Sequence, residues 1–429
     1  MSRKRIITQI LLYFFMLMFL MVIGCGDNHS EDTYSISGRV TLNGEALANI
    51  SVHLTGGESG TVLTDENGEY EFTGLTDEMD YNVSAGSGTF ILTPDSTDVE
   101  IDGSDVSGIN FEAAACCGGI TTNRVYVSNY DGNSVSVIDS TTHDAVSTIA
   151  LGHHAGASAF LPELNRLYVT SVTTNNLTIV NTITNTVLTT LTMPGRTGSV
   201  VADRTTNKIY VAEHGDNSGG LLPLGTRIWV LDAITNALLN TINVGTNIQD
   251  LTIDIAHRRI YVTDFHTSAS TPGLLFPINI DTDTALAGIT CGILPSGISL
   301  NTTLHKVYAT NLSSDSVTVI NTITNTVIGT IAVGDNPEAI SVDETIDRAL
   351  VTNSNNNSVS LMNTTDDTII GTPIIVGTYP TWAAVDTTTH LAYVVNYDSD
   401  NVSVVNLQTA SVTDTINVGN GPVRVTVIE

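Results

Sequence analysis

Asn123-Arg124-Val125-Tyr126-Val127, Asn165-Arg166-Leu167-Tyr168-Val169 and Asn207-Lys208-Ile209-Tyr210-Val211 are three copies of one short pattern. Four looser copies follow: Arg259-Ile260-Tyr261-Val262, Lys306-Val307-Tyr308-Ala309, Arg348-Ala349-Leu350-Val351 and Leu391-Ala392-Tyr393-Val394. The first three tyrosines stand 42 residues apart, and the spacing lengthens to 51 and then 47 where loops are inserted. Each copy leads into another alternating strand, such as Ser134-Val135-Ser136-Val137-Ile138 or Asn401-Val402-Ser403-Val404-Val405. A third strand follows, like Thr326-Val327-Ile328-Gly329-Thr330-Ile331, then Val-Gly and commonly Pro, then a fourth like Glu338-Ala339-Ile340-Ser341-Val342. Four short strands in each repeat decide the architecture before any single motif is weighed.

One such unit is a small antiparallel sheet that cannot bury both of its faces, yet its strands carry Val, Ile or Ala on both. Stacking neighbours in a ring covers both, so seven copies predict an all-β chain with a seven-bladed β-propeller over residues 121–429. The chain joins this ring at the second strand of its first repeat and ends on Val423-Arg424-Val425-Thr426-Val427-Ile428, a strand of the fourth type. The C-terminal strand is therefore expected to be the innermost strand of the blade built from residues 123–151, which removes an exposed edge. Tyr168-Val169-Thr170 and Tyr308-Ala309-Thr310-Asn311 resemble the YVTN family of propeller repeats. The resemblance implies the fold and little about activity, because one scaffold hosts surface proteins and enzyme-like relatives alike.

The segment before the ring divides again. Arg3-Lys4-Arg5 precedes an apolar run from Ile6 to Ile23 and then Gly24-Cys25, a basic region, a hydrophobic region and a small residue directly before Cys. This resembles the lipobox of bacterial lipoproteins. The resemblance implies a signal peptide over residues 1–25, lipid attachment at Cys25, and a chain held on the bilayer at the cell envelope, with Gly26 favouring the outer membrane. Several acyl chains anchor stably where one would be marginal. Residues 26–32 are a polar tether of about 20–25 Å at most. From residue 33 to 112 period-two strands alternate with turn chemistry such as Asn43-Gly44 and Asp65-Glu66-Asn67-Gly68, which predicts a small antiparallel β-sandwich. Gly38-x-Val40, Val52-x-Leu54, Thr64-Asp65-x-Asn67-Gly68-x-Tyr70-x-Phe72 and Tyr81-x-Val83 resemble a carboxypeptidase-regulatory-like, or transthyretin-like, domain. Residues 113–120 read as a small-residue linker.

Composition excludes several functions. From Gly26 onward 12 basic residues face 44 acidic ones, and no basic patch relieves that field, so no nucleic-acid partner is expected. There is no C-x-x-C-H, no C-x-x-C, no G-x-S-x-G and no H-E-x-x-H. After the leader an odd number of cysteines remains, Cys116, Cys117 and Cys291.

Chemistry is expected on one face of the ring, where the loops into the inner strands and those between second and third strands meet. Around it lie His153, His154, Arg196, Gln249, Asp250, Glu338, Tyr379, Trp382 and Arg424. The longest insertions, Glu213 to Thr226 and Asp264 to Pro277, share that face and add His214 and His266. His153-His154 with His214, His266, Glu213 and Asp264 supply imidazole and carboxylate donors that suit zinc or copper, although no short ligand motif spaces them. No other cofactor is expected. His257, His305 and His390 fall on the opposite face as turn residues, and Asp366-Asp367 reads as a solvated turn. The reading is a monomeric, envelope-anchored propeller that binds a protein or glycan partner. The alternative is a propeller enzyme of lactonase-like or quinone/amine-oxidising type.

Overall fold

The computed structural model describes residues 33–42, 44–48, 50–86, 90–115, 123–215, 225–265 and 270–428. Cys25, the leader, Cys116, Cys117 and His266 lie outside them. Apart from four single 3-10 turns, the regular structure is β-strand. Two compact units emerge, one holding the described residues up to Gly86 together with Ile91–Ala114, the other the residues from Ala115 on.

In the first unit Tyr34–Leu42 pairs with Glu69–Leu75 and Glu45–Ala46, and Ser51–Gly56 pairs with Gly60–Leu63 and Met79–Gly86. Alternation does what the sequence promises: in Glu69–Leu75, Tyr70 and Phe72 are buried while Glu69 and Glu71 are exposed. One pairing departs from an antiparallel arrangement. Phe111–Ala115 runs parallel to Tyr34–Leu42, with Val40 opposite Phe111. A strand at the end of a long return connection is free to take either direction, unlike one joined by a hairpin. That strand also occupies the first part of the stretch expected as linker.

The second unit is a β-propeller. Among its described residues are seven antiparallel sheets, six of four strands and one of five. The sheet with Arg124–Asn129 takes Pro422–Ile428 as its innermost strand, with Val125 opposite Val427 and Val127 opposite Val425. The ring is therefore closed by pairing the chain's end to its first repeat. Seven apolar clusters lie between successive sheets. One of them joins Val125, Val127 and Val425 of the first sheet to Tyr393, Val402 and Val404 of the last. Both faces of each second and third strand are consequently buried, which is why those strands lack polar alternation.

The repeated tyrosine has a definite job. Its ring is fully buried, and its hydroxyl donates to a carbonyl after the third strand of the next sheet. Tyr126 reaches Thr182 O at 3.1 Å, Tyr168 Ala233 O at 3.2 Å and Tyr261 Thr322 O at 3.3 Å. Tyr308 reaches Thr364 O at 3.2 Å, and Tyr393 reaches Ser140 O at 3.4 Å, tying the last sheet to the first. Leu350 replaces the tyrosine in the sixth copy, and the Tyr210 hydroxyl is buried without a partner.

Candidate functional site

Most inner strands begin with a break in register. The ladder shifts between Thr197 and Val200, Ile248 and Leu251, Pro295 and Ile298, Pro337 and Ile340, and Pro380 and Trp382. In the closing strand it shifts between Pro422 and Arg424. A bulge adds an unpaired residue and re-aims side chains, and here it recurs at the start of six inner strands. Equivalent positions after the break carry Ser199, Asp250, Gly297, Ala339, Trp382 and Arg424. Three of these are small, and the other three meet.

The Arg424 guanidinium carbon sits 3.3 Å from the centroid of the Trp382 ring, a cation–π contact, and Arg424 Nη1 donates to Asp250 Oδ1 at 3.2 Å. Asp250 is buried. Its Oδ1 also accepts from Ser199 Oγ at 2.7 Å, and its Oδ2 accepts the Ile298 N–H at 3.2 Å. One carboxylate thus links the inner strands of the first, third, fourth and fifth sheets. Nearby, Glu338 Oε1 accepts from Tyr379 OH at 3.3 Å and from Asn336 Nδ2 at 3.4 Å. Burial pushes the Glu338 carboxyl above its ordinary value, with Tyr379 and the charge of Arg424 pulling the other way. The negative charge of Glu338 in turn raises the Tyr379 hydroxyl.

Tyr379 has φ 56°, in the left-handed region, where Asn336, Gly421 and Leu294 take the corresponding turn positions. Its backbone N–H is held there by Asn357 Oδ1 at 3.0 Å. A bulky aromatic residue in this conformation is strained by about 1–3 kcal/mol. Asn or Gly serves the turn without that strain, so the aromatic ring itself is the distinguishing feature.

Beside Arg424 lies a cavity of about 320 Å³. It forms where the second and third sheets present Gly156, Ala157, Gly198 and Ser199, against Gln249, Asp250, Trp382 and Arg424 at the corresponding places in the fourth, last and first sheets. Tyr130, Tyr397, His214 and Gln249 complete the polar and aromatic part of its wall. His154 stacks on Tyr130, ring centroids 4.3 Å apart, and its Nδ1 donates to Tyr130 O at 2.8 Å. Tyr397 OH donates to Asp131 Oδ2 at 2.8 Å, and its ring meets Tyr379 edge-on at 6.2 Å.

The expected residues thus fall into groups. Gln249, Asp250, Trp382, Arg424, Glu338 and Tyr379 gather around the axis, and His214 lines the cavity. His154 backs a cavity residue. His153, in the connection between the first and second sheets, is buried against the second sheet, with Nε2 2.7 Å from Thr178 Oγ1. The carboxylates offered for a metal have other partners: Glu213 is held by Arg227 and the Thr226 N–H, and Asp264 accepts the N–H groups of Thr246 and Asn247. Among the described residues no three His, Cys, Asp or Glu side chains converge on a metal position. Pro272–Asn279 is strand, so the second insertion is shorter than its sequence suggests. Tyr130, Tyr397, Asp131 and the glycines were not singled out in the sequence. Their signal is Asn129-Tyr130-Asp131 recurring as Asn396-Tyr397-Asp398 in short loops.

On the opposite face side-chain bonds brace the turns. Asp254 Oδ2 accepts from His257 Nδ1 at 2.8 Å within one turn, Asp343 Oδ2 accepts from His390 Nδ1 of the next sheet at 2.8 Å, and His305 and His390 hold left-handed turn positions. Asp367 is bound by Lys306 Nζ at 2.9 Å.

Fold and site together define a β-propeller with a polar, aromatic mouth. No protein-family model matches the chain, and no curated protein matches it. Among solved structures it is similar to the hydrazine synthase of Kuenenia stuttgartiensis, at 15% identity and a TM-score of 0.59, over 66% of this chain and 92% of that one. It is likewise similar to a functionally unknown protein from Desulfotomaculum acetoxidans DSM 771, at 14% identity and a TM-score of 0.58, over 72% of this chain and 99% of that one. At such identities the likeness is one of fold alone.

Proposed function

We propose that the chain is an envelope lipoprotein, anchored through Cys25, whose seven-bladed YVTN-type propeller is a binding module for a glycan, carried behind a carboxypeptidase-regulatory-like domain. The observation that carries the binding assignment is where the repeat breaks down. The opposite face keeps recurrent turns closed by side chains such as Asp203, Asp254, Asn321 and Asn406, while the mouth replaces small inner-strand residues by Gln249, Asp250, Glu338, Trp382 and Arg424 around a cavity. Loops and strand ends on a rigid scaffold are where function is placed. Aromatic rings beside carboxyl and amide groups suit the mixed apolar and hydroxylated faces of a sugar, and the cavity, small for a ligand pocket, suits a sugar unit rather than a protein surface.

The test is Tyr379→Asn, chosen because Asn336 already occupies the equivalent turn. The variant relieves the left-handed strain, so it should fold with an unfolding temperature no lower than that of the unaltered protein and lose binding on an array of bacterial envelope polysaccharides. Undiminished binding by the variant, or no binding by the unaltered protein, would refute the assignment.

A further inference from the structure

Arg424 is used sparingly by the fold. Of its five N–H donors, one reaches Asp250, at 3.2 Å, and none of the others reaches a side-chain or backbone acceptor among the described residues. The guanidinium is nevertheless fixed in place, with Trp382 against its face and Asp250 at one corner. Its remaining donors belong to a side chain that lines the 320 Å³ cavity together with Tyr130 and Tyr397. A preorganised fork of donors beside a half-open cavity is a carboxylate receptor in geometry.

Resting on the glycan-binding reading, we infer that this cavity binds a sugar carrying a carboxylate, a uronic acid, with the carboxylate on Arg424 and the ring against Tyr130 or Tyr397. Phosphate is disfavoured by charge. The chain carries 15 basic against 44 acidic residues, and the single cation here already faces Asp250, with Glu338 nearby. One guanidinium matches a planar monoanion, whereas a dianion in so acidic a molecule needs more than one cation. A ligand carboxylate on the remaining donors of Arg424 leaves the Arg424–Asp250 pair made, so binding leaves no buried charge without a partner.

Calorimetric titration of the purified full-length chain with D-glucuronate and with D-glucose tests this. Glucuronate should bind about tenfold or more tightly than glucose, the difference expected for a charge-assisted pair. Arg424→Gln should erase that difference. Gly198→Val should abolish glucuronate binding while leaving Arg424 in place. A Cβ built on Gly198 meets Ala212 O at 3.4 Å and His214 Cα at 3.5 Å, ordinary contact, so the added methyl groups extend into the cavity without disturbing the strand. Short oligouronates should compete with glucuronate. Tighter binding of the oligomer identifies a polysaccharide as the source and equal binding the free acid, and both outcomes support the carboxylate. Equal affinity for glucose and glucuronate, unchanged glucuronate affinity in Arg424→Gln, or stronger competition by inorganic phosphate would overturn the inference. If glycan binding that Tyr379→Asn abolishes persists in that event, only the carboxylate preference has failed.

Discussion

Replacing single tyrosine hydroxyls tests how the ring is locked. Tyr126 and Tyr210 occupy the same position in the first and third repeats, and both are fully buried. The Tyr126 hydroxyl lies 3.1 Å from Thr182 O and 2.7 Å from Asn185 Oδ1, whereas the Tyr210 hydroxyl has no partner. Tyr126→Phe removes a made hydrogen bond and strands its acceptors, which should cost about 1–2 kcal/mol. Tyr210→Phe removes a buried donor that folding strips of water without compensation, so stability should stay level or rise by up to about 1 kcal/mol. With an unfolding entropy of about 2.1 cal/mol/K per residue over roughly 300 residues, the first change lowers the melting temperature by about 2–3 °C. The second leaves it unchanged or raises it. Calorimetry and guanidinium denaturation of the two variants measure the difference directly. Equal losses at both positions would refute the argument, because the phenyl ring is retained in each and only the hydroxyl's partner differs.

Three further outcomes follow from the same geometry. Gly334→Ala places a Cβ 2.4 Å from Asn353 Cγ and should cost about 2 kcal/mol or more in chemical denaturation, with the cost shrinking in an Asn353→Ala background. Burial raises the Glu338 carboxyl, so folding is penalised once that group ionises; the penalty is absent below the ordinary 4.5 and grows as pH rises through the folded value. Glu338→Gln should therefore stabilise the protein at neutral pH and lose that advantage in acid, as pH-dependent melting curves would show. Deleting the strand Pro422–Ile428 should unfold the propeller as a whole, and a melting curve like that of the full chain would contradict closure by that strand.

The fold was legible because the repeat is. Period, strand count and the strand type at the C-terminus together place Pro422–Ile428 beside Arg124–Asn129, and no long-range information was needed. The parallel pairing of Phe111–Ala115 was not legible, since alternation fixes which face a strand buries and leaves its direction open. The mouth was partly legible. Arg424, Trp382 and Asp250 stand at equivalent places in their repeats and Glu338 one residue before that place in its own, so the repeat itself brings them to one ring. Their mutual contacts, and the cavity beside them, depend on what is small at Gly156, Ala157, Gly198 and Ser199. A void is defined by side chains that are absent, and a search for chemically active residues passes over them. His153 shows the opposite error. An imidazole in a promising loop turned into the blade because Thr178 offered a buried partner.

Arg424 ties closure of the ring to the chemistry of the mouth. It lies on the closing strand, in a pair with Ser128 and one residue from Val425, which packs in the apolar cluster between the first and last sheets. The cation of the mouth is therefore delivered only when the ring shuts. It then reaches Trp382 on the last sheet and Asp250 on the fourth. An exposed ion pair contributes little, but Asp250 is buried, and its other bonds come from backbone and hydroxyl donors that carry no formal charge. Leaving that carboxylate without its cation is costlier than never having placed it there. A chain that fails to close thus keeps an unpaired buried charge near its axis, which disfavours open rings relative to the closed one. Binding and closure rest on the same arginine, so a ligand that engages Arg424 in the closed ring alone should also raise the unfolding temperature of the whole propeller.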